Sequence, residues 1–183
     1  MWKQLASKEI FSHPRIVITE DTVQLPSGAE VDYLKFKEGE NYATIICKNS
    51  TGKILLQKEY SYPPNQELFQ FPGGGIGERE DISEGANREL MEESGLRATC
   101  LTHLGSYLTN NRRSNSRMHV FLATNLEDSH LAGDQEESIK SQWFSEREIE
   151  DLIKTNQIIN VHVLAAWTLY SLKTQSALEL PSA

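Results

Sequence analysis

GGGIGEREDISEGANRELMEESGL, running from Gly73 to Leu96, places Glu89, Glu92 and Glu93 within about a turn and a half of helix, directly after a glycine-rich loop. Like charges at i,i+4 destabilise a helix, and crowded carboxylates are pushed toward the protonated form. A chain that keeps such a cluster either solvates it or binds something positive with it. At about 100° per residue, Glu89 and Glu93 share one face with Glu92 beside them. Ala86 and Leu90 share an apolar stripe, and Arg88 and Leu90 are expected to point away from the acidic face. Hard cations such as Mg²⁺ take carboxylate oxygens in octahedral geometry, so Glu89 and Glu93 are spaced to hold Mg²⁺ or Mn²⁺ from one helical face. Gly73, Gly74 and Gly75 permit backbone conformations that turn a carbonyl toward a metal or amides toward a phosphate. Glu80 is placed to pair with Arg88 and fix the loop against the helix.

Working outward, the helix is expected to start at Asp81 or Ser83, either of which can cap it. It should end near Ser94, with Gly95 in the left-handed conformation that closes a helix. Upstream, ELFQF (Glu67–Phe71) is a short strand stopped by Pro72. YATIICK (Tyr42–Lys48) and KILLQKEY (Lys53–Tyr60) form a hairpin around Asn49-Ser50-Thr51-Gly52. Ile16 to Lys37 reads as two strands around the turn Pro26-Ser27-Gly28. Downstream, Leu96–Leu108 and Met118–Leu126 read as two long strands joined by the polar stretch Thr109–Arg117, and Ile139–Phe144 as one more. Ser145-Glu146-Arg147-Glu148 is a capping box that opens a helix through Lys154. Asn160 caps a last helix in which Val163, Leu164, Trp167 and Tyr170 recur at helical spacing. Strands and helices interleave without strict alternation, which favours a mixed α/β sandwich over a doubly wound parallel sheet.

The chain has 183 residues, of which 38% are hydrophobic and 24% charged, and a net charge of -8. That is the balance of an ordinary folded domain, not of a disordered chain. The acidity argues against nucleic acid as a partner, since such proteins carry a basic patch. Phosphates remain open to an acidic protein when a divalent cation lies between the two. Cys47 and Cys100 are not spaced as CxxC and read as reduced, packed thiols. His103, His119, Trp143 and Trp167 read as packing too. No segment reads as a signal peptide or a membrane span, so no membrane contact and a cytoplasmic setting are expected.

Gly74, five residues, Glu80, seven residues, then Arg88-Glu89-Leu90-Met91-Glu92-Glu93-Ser94-Gly95-Leu96 resembles the Nudix box, Gly-x5-Glu-x7-Arg-Glu-U-x-Glu-Glu-x-Gly-U with U apolar, at every fixed position. A chance match falls below about one in a million. The resemblance implies an α/β fold, a Nudix-type α/β/α sandwich with a mixed sheet, in which the box forms a loop–helix–loop. It implies hydrolysis of a nucleoside diphosphate linked to another group, with water attacking one phosphorus of the P–O–P bridge, helped by bound Mg²⁺ or Mn²⁺. Carried over, Glu89 and Glu93 are principal metal ligands, Glu92 a third, direct or through water, and the Gly73 carbonyl a further one. Gly74, Glu80, Arg88 and Gly95 become scaffold of the box.

Beyond the box, VITEDTVQLPSGAEVDYLKF, GKILLQKEYSYPP, ELFQFPGG and GDQEESIKSQWFSEREIEDLIKTNQIINVHVLAAWTLYSL are similar to the ADP-ribose pyrophosphatase branch and its relatives that act on nucleoside diphosphate sugars. That likeness implies residues 1–40 as an N-terminal strand/hairpin extension serving dimerisation and the substrate side, 41–173 as the catalytic domain, and 174–183 as a flexible tail. A homodimer acting on a small nucleotide substrate is expected. The branch also places a catalytic glutamate in an acidic loop after the box, which assigns Glu137 first and Glu136 next, with Glu92 counted in the catalytic group as well. An arginine usual in the branch gives way here to Glu59-Tyr60-Ser61, and Arg112 and Arg113 are candidates to replace it against a phosphate or terminal sugar. The expected products are a nucleoside monophosphate and a sugar phosphate. Alternatives are hydrolysis of nucleoside triphosphates or dinucleoside polyphosphates, against which the N-terminal hairpin argues, and a non-catalytic nucleotide-sugar sensor, against which the intact box glutamates argue.

Overall fold

The computed structural model describes residues 1–37, 40–129 and 140–178. The chain divides into two compact units, one of Met1–Glu40 with Leu108–Arg117, the other of Asn41–Tyr107 with Met118–Ala183.

In the first unit, β1 (Lys3–His13), β2 (Ile16–Gln24) and β3 (Glu30–Lys37) form an antiparallel sheet in the order β1-β2-β3. Three strands stand where the sequence reading expected a hairpin of two. The reason β1 escaped notice is physical. It is exposed along its whole length, so no buried face imposes an apolar alternation. Register shifts at Gln4/Ala6 and Glu9/Phe11 put Leu5 and Ile10 out of step with their neighbours. The turn at Pro26-Ser27-Gly28 forms as expected, with the Gly28 amide donating to the Leu25 carbonyl at 2.9 Å. The segment around Arg112 and Arg113 closes on β3, where the Phe36 amide donates to the Arg113 carbonyl at 2.6 Å.

One buried charge ties this sheet together. Asp21, on the central strand, is only 5% exposed. It accepts from the Ser7 hydroxyl of β1 at 2.6 Å and pairs with the Lys35 ammonium of β3 at 2.6 Å. Burial opposes the carboxylate, but the bonds from Lys35 and Ser7 prevail and hold its pKa below the usual value.

The second unit holds β4 (Asn41–Cys47), β5 (Ile54–Ser61), β6 (Gln66–Gln70), β7 (Gly75–Ile76), α1 (Ile82–Ser94), β8 (Leu96–Leu108), β9 (Arg117–Asp128), β10 (Lys140–Phe144), α2 (Glu146–Lys154) and α3 (Val161–Leu178). Its sheets run β7-β4-β9-β8 and β10-β5-β6. The strand pair β4 and β9 is linked at one end by the Arg117 amide on the Glu40 carbonyl and at the other by the Lys48 amide on the Ala123 carbonyl. Both strands therefore run the same way, whereas β4 and β7 are antiparallel, so the sheet is mixed.

Strands β4, β5 and β9 carry consecutive buried residues and so are covered on both faces there, which explains their apolar runs. Ile46, Ile54, Leu56 and Val120 enter a core with Ile149, Val163, Trp167 and Tyr170 of α2 and α3. Their chain neighbours Ile45, Leu55 and Phe121 enter a second core with Ala86 and Leu90 of α1. Adjacent residues thus serve opposite layers, and the unit is an α/β/α sandwich. Ser145 and Glu148 complete the expected capping box, and the Asn160 side chain accepts from the His162 amide at 2.9 Å. The helix α3 runs on to Leu178, past residue 173 where the catalytic domain was expected to end. Cys47 is buried but Cys100 is exposed, contrary to the expectation that both are packed. Burial alone pushes the Cys47 thiol pKa far up.

Asp21→Ala is expected to lower stability by about 1.5–3 kcal/mol, the range for hydrogen bonds made by a charged group. A urea titration reads it as a lower midpoint at unchanged slope. An unchanged midpoint would mean that the three-strand clasp contributes nothing.

Candidate active site

The acidic helix starts where Asp81 caps it, its carboxylate accepting from the Ser83 and Glu84 amides at 2.9 and 3.1 Å. It ends at Gly95, whose φ of 67° closes it as its N–H donates a hydrogen bond to the Met91 carbonyl at 3.1 Å. Leu90 and Ala86 are fully buried and anchor one side. Asn87, which the sequence reading did not single out, locks the helix to β8 by a reciprocal pair of bonds with Ala98, at 3.0 and 2.9 Å.

On the acidic side the geometry departs from expectation at Arg88. Its guanidinium does not point elsewhere. It donates through Nε to Glu80 at 2.8 Å and through Nη1 to Glu89 at 2.7 Å and Glu92 at 3.0 Å. Its Nη2 reaches Glu80 and the Gly75 carbonyl, each at 3.0 Å. A long arginine leaves its backbone position by several ångströms, so helical phase did not locate its head group. The expected Glu80–Arg88 pair is present. Arg88 bonds and the Gly77 amide hold the Glu80 pKa down to about 2, and Glu80 with Glu89 keeps the guanidinium firmly protonated.

Glu93 takes a different partner, with its Oε2 accepting from the Gly73 amide at 2.9 Å. This bond ties the glycine loop to the last turn of α1. Both glycines on that approach are required. A side-chain carbon at Gly73, where φ is 152°, would fall 2.9 Å from Thr44 Cα, and one at Gly74 would fall 2.7 Å from the Glu89 carboxylate carbon. Amides of β4 take the carbonyls on either side of Gly73, with Ile45 binding Pro72 at 2.8 Å and Ala43 binding Gly74 at 2.9 Å. Gln57 of β5, also absent from the sequence reading, is 2% exposed and donates to the Glu93 carbonyl at 3.1 Å. A glutamine inside the apolar run ILLQ was the one available signal.

Gly73, Gly74, Glu80, Arg88, Glu89, Glu92, Glu93 and Gly95 are therefore assembled within the second unit. Arg112 and Arg113 belong to the first, where the Arg112 carbonyl accepts from the Tyr33 hydroxyl at 2.7 Å and Arg113 Nη1 donates to the Leu34 carbonyl at 3.2 Å. Glu136 and Glu137 lie outside the described residues.

The donors are carboxylate and carbonyl oxygens, the chemistry that hard divalent ions select. Among the described residues, no three acidic, histidine or cysteine side chains already converge as a metal cage. The bonds above explain this, since Arg88 draws Glu89 and Glu92 while Gly73 draws Glu93. Burial, and after it the negative charges of Glu92 and Glu80, push the Glu89 pKa up despite its bond to Arg88. The oxygen donor set fits a hard cation.

The NUDIX domain family matches residues 40–166, and the chain is a member of the Nudix hydrolase family. It is 28% identical to the ADP-ribose pyrophosphatase of Bacillus subtilis (strain 168) over 124 residues, a stretch covering 68% of this chain and 66% of that protein's length. It is 26% identical over 160 residues to the ADP compounds hydrolase NudE of Escherichia coli (strain K12), covering 85% of this chain and 86% of the relative. In three dimensions it is similar to a solved ADP compounds hydrolase with a TM-score of 0.88 at 20% identity, covering 98% of this chain and 97% of the other. No helix among the described residues is long and apolar enough to cross a membrane.

The depressed Glu80 value carries a sign. A carboxylate whose pKa falls from 4.5 to about 2 on folding adds stability that is full above about 4.5 and is lost as pH drops toward 2. Glu80→Gln is therefore expected to melt below the parent protein at neutral pH, with the gap closing as acid protonates Glu80. A gap that persists at the acid end of a series of thermal melts would refute this account.

Proposed function

We propose that the protein hydrolyses the pyrophosphate bond of ADP-ribose or a related nucleoside diphosphate sugar, releasing a nucleoside monophosphate and a sugar phosphate. The observation that carries this is the acidic face of α1 clamped to the glycine loop by the Glu93–Gly73 bond. The names of relatives that match across most of the chain support the substrate class. Glu89, Glu92 and Glu93, with the Gly73 carbonyl, would hold Mg²⁺, with Mn²⁺ as a substitute. Such an ion supplies positive charge to the diphosphate and polarises its phosphoryl oxygens.

The chain's own groups do the positioning. Arg88 holds Glu89 and Glu92 at one end of the face, and Gln57 fixes the carbonyl end of Glu93. Glu137 is proposed as the base that takes a proton from the attacking water, with Glu136 as the neighbouring candidate. Arg112 and Arg113 stay proposed as substrate contacts on charge alone. A homodimer built on residues 1–40 is also proposed. The edge strand β1 supports it, since Leu5, Ile10 and Phe11 are all exposed there and an uncovered edge is a template for pairing. A cytoplasmic setting is proposed as well; the end of the expected tail, 179–183, lies outside the described residues.

A Mg²⁺ assay across ADP-ribose, ADP-glucose, GDP-mannose, NADH, diadenosine polyphosphates and nucleoside triphosphates, with products identified by mass, tests the reading. Turnover of triphosphates alone would overturn it. Glu93→Gln keeps an oxygen for the Gly73 amide, so it should fold normally yet lose about a hundredfold or more in kcat, the scale on which a single preorganised charge-stabilising group acts. Glu137→Gln should lower kcat more than it raises KM; a change in KM alone would remove Glu137 as the base. Light scattering should give a dimer that Phe11→Asp splits, and a monomeric parent protein would end the dimer proposal.

A further inference from the structure

Gln57 interrupts the apolar run of β5 at the point where that strand meets the acidic helix. β5 is the middle strand of its sheet, with Gln57 opposite Ser141 of β10 and Gln70 of β6, so its backbone is held from both sides. Successive side chains of a strand face opposite layers. Leu55 packs in the core that contains Ala86 and Leu90 of α1, Leu56 in the other core, and Gln57 returns to the α1 side. An amide is costly to bury unless it is bonded, and the leucine that fills the two preceding positions would pack without that cost. Gln57 is nonetheless only 2% exposed, and its Nε2 donates to the Glu93 carbonyl at 3.1 Å.

That carbonyl is one the helix itself leaves open, because the last four carbonyls of an α-helix have no partner within it. At the end of α1 the Gly95 amide takes the Met91 carbonyl at 3.1 Å, and Gln57 takes that of Glu93. Glu93 is thereby held at two ends by two other segments, its backbone by β5 and its carboxylate by the Gly73 amide at 2.9 Å. A ligand is only as well placed as the groups that support it. On the reading of Glu93 as a metal ligand, we propose that Gln57 is a positioning residue. Its amide fixes the last turn of α1 so that the Glu93 carboxylate is presented to the glycine loop and to a divalent ion. Its effect on the ion runs through Glu93.

Two variants of the full chain test this. Gln57→Met keeps the length of the side chain and removes the donor, and methionine suits an apolar layer, so the variant should fold. Gln57→Asn keeps the amide but withdraws it by one methylene. The first readout needs no metal. The Gly73 amide proton, bonded to a carboxylate, should resonate downfield in a nitrogen-correlated spectrum. In both variants it should move upfield, toward its position in Glu93→Ala. The Ala98 amide, which bonds Asn87 of the same helix at 2.9 Å, should stay in place, a contrast that general loosening of α1 would not give. The second readout is Mn²⁺ affinity by electron paramagnetic resonance. Gln57→Met should weaken it by about tenfold or more, the effect of removing an outer support. In a Glu93→Gln background the same change should add little, because both substitutions act on one group. An unmoved Gly73 resonance, or an equal loss of Mn²⁺ affinity in both backgrounds, would overturn the proposal. A parent protein without Mn²⁺ affinity would instead sink the metal reading on which the proposal rests, while a Gly73 shift would still show that Gln57 holds Glu93.

Discussion

The guanidinium of Arg88 is the point on which the acidic site depends. It joins Glu80 at the end of the glycine loop to Glu89 and Glu92 on the helix, and it takes the Gly75 carbonyl as well. Without a cation there, carboxylates on adjacent turns would repel and the loop would keep only the Glu93–Gly73 bond as its polar tie to this face of α1. Its planar fork allows several bonds in fixed directions, which a lysine does not provide. Burial still leaves Glu89 with a raised pKa despite its bond to Arg88. The scaffold is therefore held together while the Glu89 carboxylate stays costly to ionise.

That arrangement works only because the layer beneath it is rigid. Strands buried on both faces cannot slip by one residue without exchanging the two cores. Leu55 and Leu56 serve opposite layers, so the position of Gln57, and through it the Glu93 carbonyl, follows from packing on both sides. On the other edge, β4 holds Pro72 and Gly74 through backbone bonds. The Gly73 amide consequently meets Glu93 at a place set by two strands and a helix. Absence of a Cβ at Gly74 leaves the room that the Glu89 carboxylate fills.

Much of this was legible in the chain. Local chemistry gave the helix its ends, since Asp81, Ser145, Asn160 and Gly95 act on atoms a few residues away. Apolar runs announced the doubly buried strands, and the fixed spacing of the box announced the acidic face. What escaped depended on distant partners. The head group of Arg88 lies where its side chain reaches, not where its Cα points. Gln57 and Asn87 owe their roles to groups on other elements, Glu93 and Ala98. The strand β1 buries nothing and is bulged, so it lacks the alternation by which strands are recognised. Cys100 was misread for the complementary reason: a small apolar residue in a strand does not reveal which face it is on.

The exposure of the acidic face follows from its place on the helix surface. Carboxylates on α1 keep partial access to water, Glu92 with 43% of its side chain exposed and Glu89 with 14%, which suits an ion that retains much of its hydration shell. Glu89 is the more covered of the two, and burial works against its charge, so one carboxylate of the face is largely dehydrated while the other keeps its water.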